Sequence, residues 1–347
     1  MTTRLDARDL AHVADGARLA WTDLRDARVL ITGVTGFVGS WLLESLVHAN
    51  DTLGLGVHIT ALVRDRAAFA GRFAHLAAAE AVRVHVGDVR VVDPPTHAFS
   101  HYVHCASASP PKMNADDPAA VVDIIERGTE RMLEEAESGK GARFLQVSSG
   151  SVYGAQPPSL ELLDETYEGR ADPNDQSQRF GAAKWRAEQR GFASVAKGVG
   201  FVSARVFGLV GPRLQLDGQF AIGNFLSDAL AGRPIRLTGD GSPIRSWMHA
   251  ADMAAWCWTL LLRGTPGFAY NVGSEQALSI AEAATKVAAL PTPHVSVHRA
   301  GHPQPGQSPG RYVPSTRRAR SEFGLECRIP FDDALGRTWD WLQRVRE

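Results

Sequence analysis

The run Arg28-Val29-Leu30-Ile31-Thr32, followed at once by Gly33-Val34-Thr35-Gly36-Phe37-Val38-Gly39, constrains this chain more than any other stretch. The first five residues are apolar and partly β-branched, as a buried strand requires, and Ser40 to Val47 reads as a helix. Three glycines spaced three apart between them divide the work of one turn. Gly33 permits a sharp reversal, Gly36 lets the backbone approach a pyrophosphate, and Gly39 lets helix and strand pack closely. The helix start then offers free N–H groups and the positive end of its dipole to phosphate. The spacing is G-x-x-G-x-x-G and not the commoner G-x-G-x-x-G, so a purely structural turn is the alternative reading. The strand–turn–helix context favours a dinucleotide, held by Gly33, Thr35, Gly36, Phe37, Val38 and Gly39.

The rest of the chain repeats this alternation. Strands are expected at 57–63, 82–86, 101–105, 143–148 and 200–206, with helices at 118–137 and 180–197. Strands separated by helices imply parallel crossovers and a doubly wound α/β sheet, which binds its ligand at the carboxyl ends of the strands. Residues 1–26 read as a helical extension. Residues 27–207 and about 246–275 read as the dinucleotide domain, with a smaller mixed region at 208–245 and about 276–347 for substrate. The Pro- and Gly-rich stretch at 291–314 reads as a loop crossing the surface.

Charge and cysteine content narrow the function classes. Lys plus Arg (37) nearly cancel Asp plus Glu (38), so no global field recruits nucleic acid or an anionic membrane. No apolar run is long enough to span a bilayer, and the first residues lack a signal-peptide core. Three scattered cysteines suggest neither a disulfide framework nor a zinc site, and the 12 histidines form no metal-spaced set. A cytoplasmic protein without a metal is expected. Trp256, Trp258, Trp339 and Trp341 read as core, and Glu126, Glu130, Glu134, Glu135 and Glu137 as a solvated helix face.

The end of the second strand chooses the dinucleotide. An acidic residue there would bind the ribose hydroxyls of NAD, and an arginine would accept the 2′-phosphate of NADP. The strand ends Val63-Arg64-Asp65, so Arg64 favours NADP over NAD, with Asp65 opposing it.

Further motifs follow in a fixed order. They are Asp88-Val89, His104-Cys105-Ala106-Ser107, Ser148-Ser149-Gly150-Ser151-Val152-Tyr153-Gly154, Phe180-Gly181-Ala182-Ala183-Lys184, Arg205 to Arg213, Gly239 to Trp247 and Tyr270-Asn271-Val272-Gly273. As a set they resemble the extended short-chain dehydrogenase/reductases, the Rossmann-fold NAD(P)-dependent epimerases and dehydratases of nucleotide sugars. The resemblance implies cofactor contacts at Asp88, Val89, Cys105, Ala106, Ser107, Lys184 and Phe207. It implies substrate contacts at Ser109, Gly150, Ser151, Gly208, Asn224, Phe225, Arg245 and Arg311, with Arg299 a weaker candidate. It also implies a homodimer through helices 118–137 and 180–197.

In that family a Ser or Thr, a Tyr and a Lys perform the proton chemistry. Ser149 and Lys184 match, but Phe180 stands where the tyrosine belongs, keeping the ring and losing its titratable atom. Three readings remain. The intact flanks favour a tyrosine-to-phenylalanine replacement made to trap a complex; the others are a chain using another acid, or binding without turnover. Tyr153 and Tyr167 are nearby phenols, and Tyr153 reads as structural. Gly150 and Ser151 replace the Asp-Glu pair of the 4,6-dehydratases, which argues against that reaction. Hydride transfer at a sugar carbon remains, by a 4-ketoreductase or an epimerase. The 205–225 run is similar to CDP-abequose and paratose-type reductases. A non-catalytic dinucleotide-binding homologue and a reductase of a non-sugar carbonyl are the alternatives.

Overall fold

The computed structural model describes residues 4–18, 20–93, 99–107, 117–139, 141–216, 218, 220–302 and 309–346. Seven strands form its central sheet: β1 (Arg28–Thr32), β2 (His58–Val63), β3 (Val82–Val86), β4 (His101–His104), β5 (Arg143–Ser149), β6 (Gly200–Val206) and β7 (Phe268–Val272). Their spatial order is β7-β6-β5-β4-β1-β2-β3, and every neighbouring pair is parallel. The order reverses between β1 and β4, where Val29 faces Ile59 on one side and His101 on the other. This is the doubly wound sheet expected from the alternation, and its switch point lies at the glycine loop. The strand count read from the sequence omitted β7, a five-residue run whose pairing partner, β6, lies about sixty residues earlier.

The helices are α1 (Ala7–Gly16), α2 (Phe37–Leu53), α3 (Pro118–Ser138), α4 (Arg179–Ser194), α5 (Ala250–Arg263) and α6 (Phe331–Arg344), with shorter ones between. α2 starts earlier and ends later than its apolar stretch suggests. Gly36 is its N-cap, and Gly54 at φ 59° closes it in the left-handed region. α5 is buried from Ala250 through Leu262, so apolar side chains all round it must be covered on every side. α1 supplies part of that cover. Trp21 packs 5.5 Å from Trp258, whose indole N–H donates to Ser45 Oγ at 2.9 Å. Leu5, Leu10, Val13 and Leu24 therefore share one core with Phe331, Leu335 and Trp339. Trp256, Trp258, Trp339 and Trp341 are buried, as expected.

α3 and α4 lie side by side, and here the solvated-face reading is corrected for three of its five glutamates, while Glu134 and Glu135 pair with Arg131 of their own helix. Glu126 pairs with Arg186 at 2.6 Å, Glu130 with Arg190, and Glu137 with Lys197 at 2.9 Å. These carboxylates link α3 to α4 and to the 3-10 turn Val195–Lys197 that follows it, because the cations stand at matching heights.

The C-terminal region builds small sheets from distant pieces. Ile235–Leu237 pairs with Val297–Arg299, while Leu278–Ser279, Ile244–Arg245 and Arg311–Tyr312 form a second sheet. Two parts of the 291–314 stretch are thus strands and not loop, since their partners lie elsewhere in the chain. Among the described residues no helix is long and apolar enough to cross a membrane, and no His/Cys/Asp/Glu group could hold a metal.

Candidate active site

The glycine loop is built by backbone contact. Gly33 has φ +69°, and a Cβ there would lie 2.7 Å from Ala106 N and Cys105 C. A Cβ on Gly39 would lie 2.2 Å from Gly33 O, so the turn closes onto the first turn of α2. No side chain caps α2 at Gly36, which leaves its N–H groups facing outward. Arg72 donates from Nη1 to Thr35 O at 3.0 Å, bringing a guanidinium beside the loop. This open, cation-flanked helix start fits a pyrophosphate. Thr32 Oγ1 accepts from Ala106 N at 3.1 Å and lies 2.8 Å from His104 Nδ1, tying the ends of β1 and β4 together. Burial holds the His104 imidazole down at about 3, so it stays neutral. Ser107 follows, half-buried; Ser109 lies outside the described residues.

At the other end of the cleft, Arg64 is exposed at the close of β2. Asp65 is occupied in capping, accepting from Ala68 N at 3.0 Å. Asp88 is held by Arg90, with contacts of 2.6 Å from Nη2 and 3.0 Å from Nε, and these bonds bring its carboxyl down to about 2. Arg90 continues to Asp123 at 2.8 Å, and Val89 is buried beneath Gly128.

Ser149 ends β5. Its Oγ accepts from Ser151 Oγ at 2.9 Å and from Ser151 N at 3.2 Å. Lys184 is buried on α4 and donates to Val147 O at 2.9 Å, two residues before Ser149. Burial lowers its pKa to about 8, opposed by nearby Cys105 and Glu188. Burial pushes the Cys105 thiol up to about 12. Phe180 lies one helical turn before Lys184, with its ring centroid 5.8 Å from Nζ, packed against Val121, Ile125, Ala183 and Ala187. The structure therefore brings the glycine loop, Cys105, Ser149, Phe180 and Lys184 to the carboxyl ends of β1, β4 and β5. Tyr153 is locked elsewhere: its hydroxyl donates to Asn271 Oδ1 at 2.8 Å, and Arg205 covers its ring at 4.7 Å. Arg205 in turn pairs with buried Glu188 at 2.8 Å.

The expected substrate residues divide. Arg245 is half-buried and donates from Nη1 to Ile244 O at 2.8 Å and Gly310 O at 3.1 Å. Arg311 donates from Nε to Glu161 O at 3.2 Å. Arg245 and Arg311 lie on adjacent paired strands, whereas Arg299 sits exposed on another small sheet. Phe225, expected beside the nucleotide, is buried in the core on the inward side of helix Ala221–Leu230. Asn224 is already tied to its own loop, donating to Gly218 O at 2.8 Å and accepting from Gly218 N at 3.2 Å. Gly208 abuts the neighbouring strand, since a Cβ there would lie 2.2 Å from Ser246 O. A side chain at that position would collide with backbone.

One residue escaped the sequence reading. Tyr312 is paired in register with Arg245, and its ring centroid lies 4.6 Å from that of Phe207. A Cβ on Gly150 would lie 2.6 Å from the Tyr312 hydroxyl and 2.5 Å from Phe207 Cζ. The aromatic beside Arg311, just past a proline-rich stretch, was the available signal, but nothing local places it 163 residues back at Ser149.

An uncapped glycine cradle at the switch point, with a Ser/Lys pair at the end of β5, has the architecture of an extended short-chain dehydrogenase/reductase. The chain belongs to the NAD dependent epimerase/dehydratase family, which its residues 29–273 match. It is 27% identical over 324 residues to UDP-glucuronic acid decarboxylase 1 of Danio rerio, covering 92% of this chain and 73% of that protein. It is 26% identical over 326 residues to dTDP-glucose 4,6-dehydratase of Streptomyces niveus, covering 92% and 94%. Among solved structures, DesIV, a dTDP-glucose 4,6-dehydratase from Streptomyces venezuelae with NAD and TYD bound, superposes with a TM-score of 0.77 at 23% identity, covering 92% and 98%. A tyrosine-to-phenylalanine mutant of UDP-glucuronic acid 4-epimerase from Bacillus cereus gives 0.77 at 18% identity, covering 92% and 99%. At these identities the structures establish the fold.

Proposed function

We propose that this chain is an NAD(P)-dependent hydride-transfer enzyme acting on a nucleotide-diphosphate sugar, as a 4-ketoreductase or epimerase of a (deoxy)hexose. The observation that carries the reading is the Ser149/Lys184 pair beside the glycine cradle, with no acid at positions 150 and 151. The space over Gly150 is filled by Phe207 and Tyr312, so an aspartate there would have to displace two rings. That supports carbinol–carbonyl exchange over the dehydratase chemistry named for some relatives.

Gly33, Thr35, Gly36, Phe37, Val38 and Gly39 would hold the pyrophosphate, Asp88 and Val89 the adenosine side, and Cys105, Ala106, Ser107, Lys184 and Phe207 the nicotinamide side. A bound nicotinamide dinucleotide would supply or accept the hydride. Ser149 would hydrogen-bond the reacting oxygen, and Lys184 would hold a positive charge beneath it. Arg245 and Arg311 would take the sugar diphosphate; a guanidinium fork matches two phosphate oxygens. Residues 27–207 with about 246–275 would form the dinucleotide part, and 208–245 with about 276–347 the sugar part. A homodimer through α3 and α4 belongs to the same reading. Arg64 supports NADP over NAD, because Asp65 turns its carboxylate to the helix that follows.

Thermal-shift measurements with UDP, dTDP, GDP and CDP sugars, each with NAD or NADP, test this directly. At least one sugar nucleotide should raise the melting temperature further in the presence of dinucleotide. No response to any of them would refute the substrate class, and a larger shift with NAD than with NADP would refute the role of Arg64. Phe180 favours a second reading, ligand binding without turnover, in which the shifts appear but no product forms.

A further inference from the structure

We propose that Tyr312 is the phenol that donates the proton to the reacting oxygen, replacing the tyrosine whose place Phe180 takes. The inference rests on the function proposed above and selects, from the three readings of Phe180, a chain that uses another acid.

The position follows from three independent contacts. The strand Arg311–Tyr312 runs parallel to Ile244–Arg245 with Tyr312 opposite Arg245, so the phenol stands beside an expected diphosphate ligand. Its ring is held against Phe207, which fixes the ring plane. Its hydroxyl lies over Gly150, where only the absence of a side chain leaves room for it. Gly150 directly follows Ser149, so the phenol stands next to the end of β5, where Ser149 favours its ionised form. Ser149 therefore has a neighbouring phenol, which arrives from the C-terminal sheet and not from α4.

The other phenols are engaged elsewhere. Of five tyrosines, Tyr153 donates to Asn271, Tyr270 donates to Glu322 Oε2 at 2.7 Å, and Tyr102 stacks on Phe144 inside the sheet. Tyr167 packs against Tyr153 and Gly169.

Burial raises the Tyr312 pKa above the usual phenol value, opposed by Ser149 and by the charge on Arg245. The group is thus protonated at neutral pH, the form a proton donor must hold, while burial weakens it as an acid and Ser149 and Arg245 act against that weakening. In that step the carbonyl carbon receives a hydride from a reduced nicotinamide dinucleotide. The carbonyl π pair takes the Tyr312 proton, leaving an alcohol, the oxidised dinucleotide and a phenolate. A proton taken up from solvent then restores the phenol, so the reduction consumes one proton from the medium.

Two measurements test the assignment. In the first, the free protein is titrated with alkali and followed through the near-ultraviolet phenolate band, subtracting Tyr312→Phe to isolate this group. Ser149→Ala should move the Tyr312 titration to higher pH, because a donor to the phenolate is lost. A titration unaffected by Ser149→Ala would overturn the pairing, whatever the substrate. In the second, a 4-keto nucleotide sugar is reduced with NADPH or NADH. Tyr312→Phe should lower kcat by about 10²–10⁴-fold while the dinucleotide thermal shift stays as in the parent. Parent-like turnover in Tyr312→Phe would overturn the role of Tyr312 alone. A parent that reduces no such sugar would overturn the underlying function, and this proposal with it.

Discussion

Replacing Gly33 by alanine tests how the cradle is built. The residue sits at φ +69°, where a Cβ costs about 1–2 kcal/mol in an L-residue. The added methyl would also meet Ala106 N and Cys105 C at 2.7 Å, and Cys105 O at 2.8 Å. These are backbone atoms of the segment after β4, tied to β1 through Thr32, and they cannot swing aside as a side chain could. Overpacking of this kind costs about 1–3 kcal/mol, so the total should be about 2–5 kcal/mol. That is a large part of a typical domain's stability. Urea denaturation would read it as a lower midpoint at unchanged slope. The same displacement should spread the ends of β1 and β4 and shrink the thermal shift given by dinucleotide. Gly336→Ala is the control: it lies within α6 with nothing within 4 Å of an added Cβ. There the same substitution should stabilise by about 0.5–1 kcal/mol, since alanine is the better helix former. A Gly33→Ala protein with parent-like midpoint and dinucleotide shift would refute this account of the turn.

Other expectations follow from buried charge. Glu188→Ala strands the Arg205 guanidinium next to Tyr153, and should cost about 3–5 kcal/mol in urea denaturation; a midpoint equal to the parent's would show the pair is dispensable. Lys184 has a folded pKa of about 8 against an ordinary 10.5, so between those values the unfolded chain holds the extra proton. Stability relative to Lys184→Met should therefore rise with pH across that window, and a fall would contradict the buried cation. Any sugar or dinucleotide contact that needs the ammonium should weaken as pH passes about 8. If Tyr312 already gives the proton, Phe180→Tyr should change turnover by less than about tenfold; a gain of about 10²–10⁴ would place the missing acid at position 180 after all.

Much of this molecule is written locally. The strand, the glycine turn and the start of α2 occupy adjacent residues, so their geometry follows from backbone sterics and was legible directly. So were Ser149 at a strand end and the one-turn spacing of Phe180 and Lys184, because helical periodicity places such residues on one face. The limits appear where a residue's fate depends on distant partners. Phe225 carried a motif resemblance, yet its helix turns it into the core. Asn224 spends its amide on Gly218, and Glu126 and Glu130 of α3 pair with arginines of α4. The 291–314 stretch reads as loop because its strands are too short to show periodicity and gain their bonds from residues 235–237 and 244–245. Tyr312 belongs to that last group. The chain alone determined that a dinucleotide cradle would sit at a switch point beside a serine and a lysine without their tyrosine. Only the tertiary structure decided which phenol stands over Gly150, because pairing between Arg311–Tyr312 and Ile244–Arg245 is a long-range hydrogen-bonding outcome with no local signature.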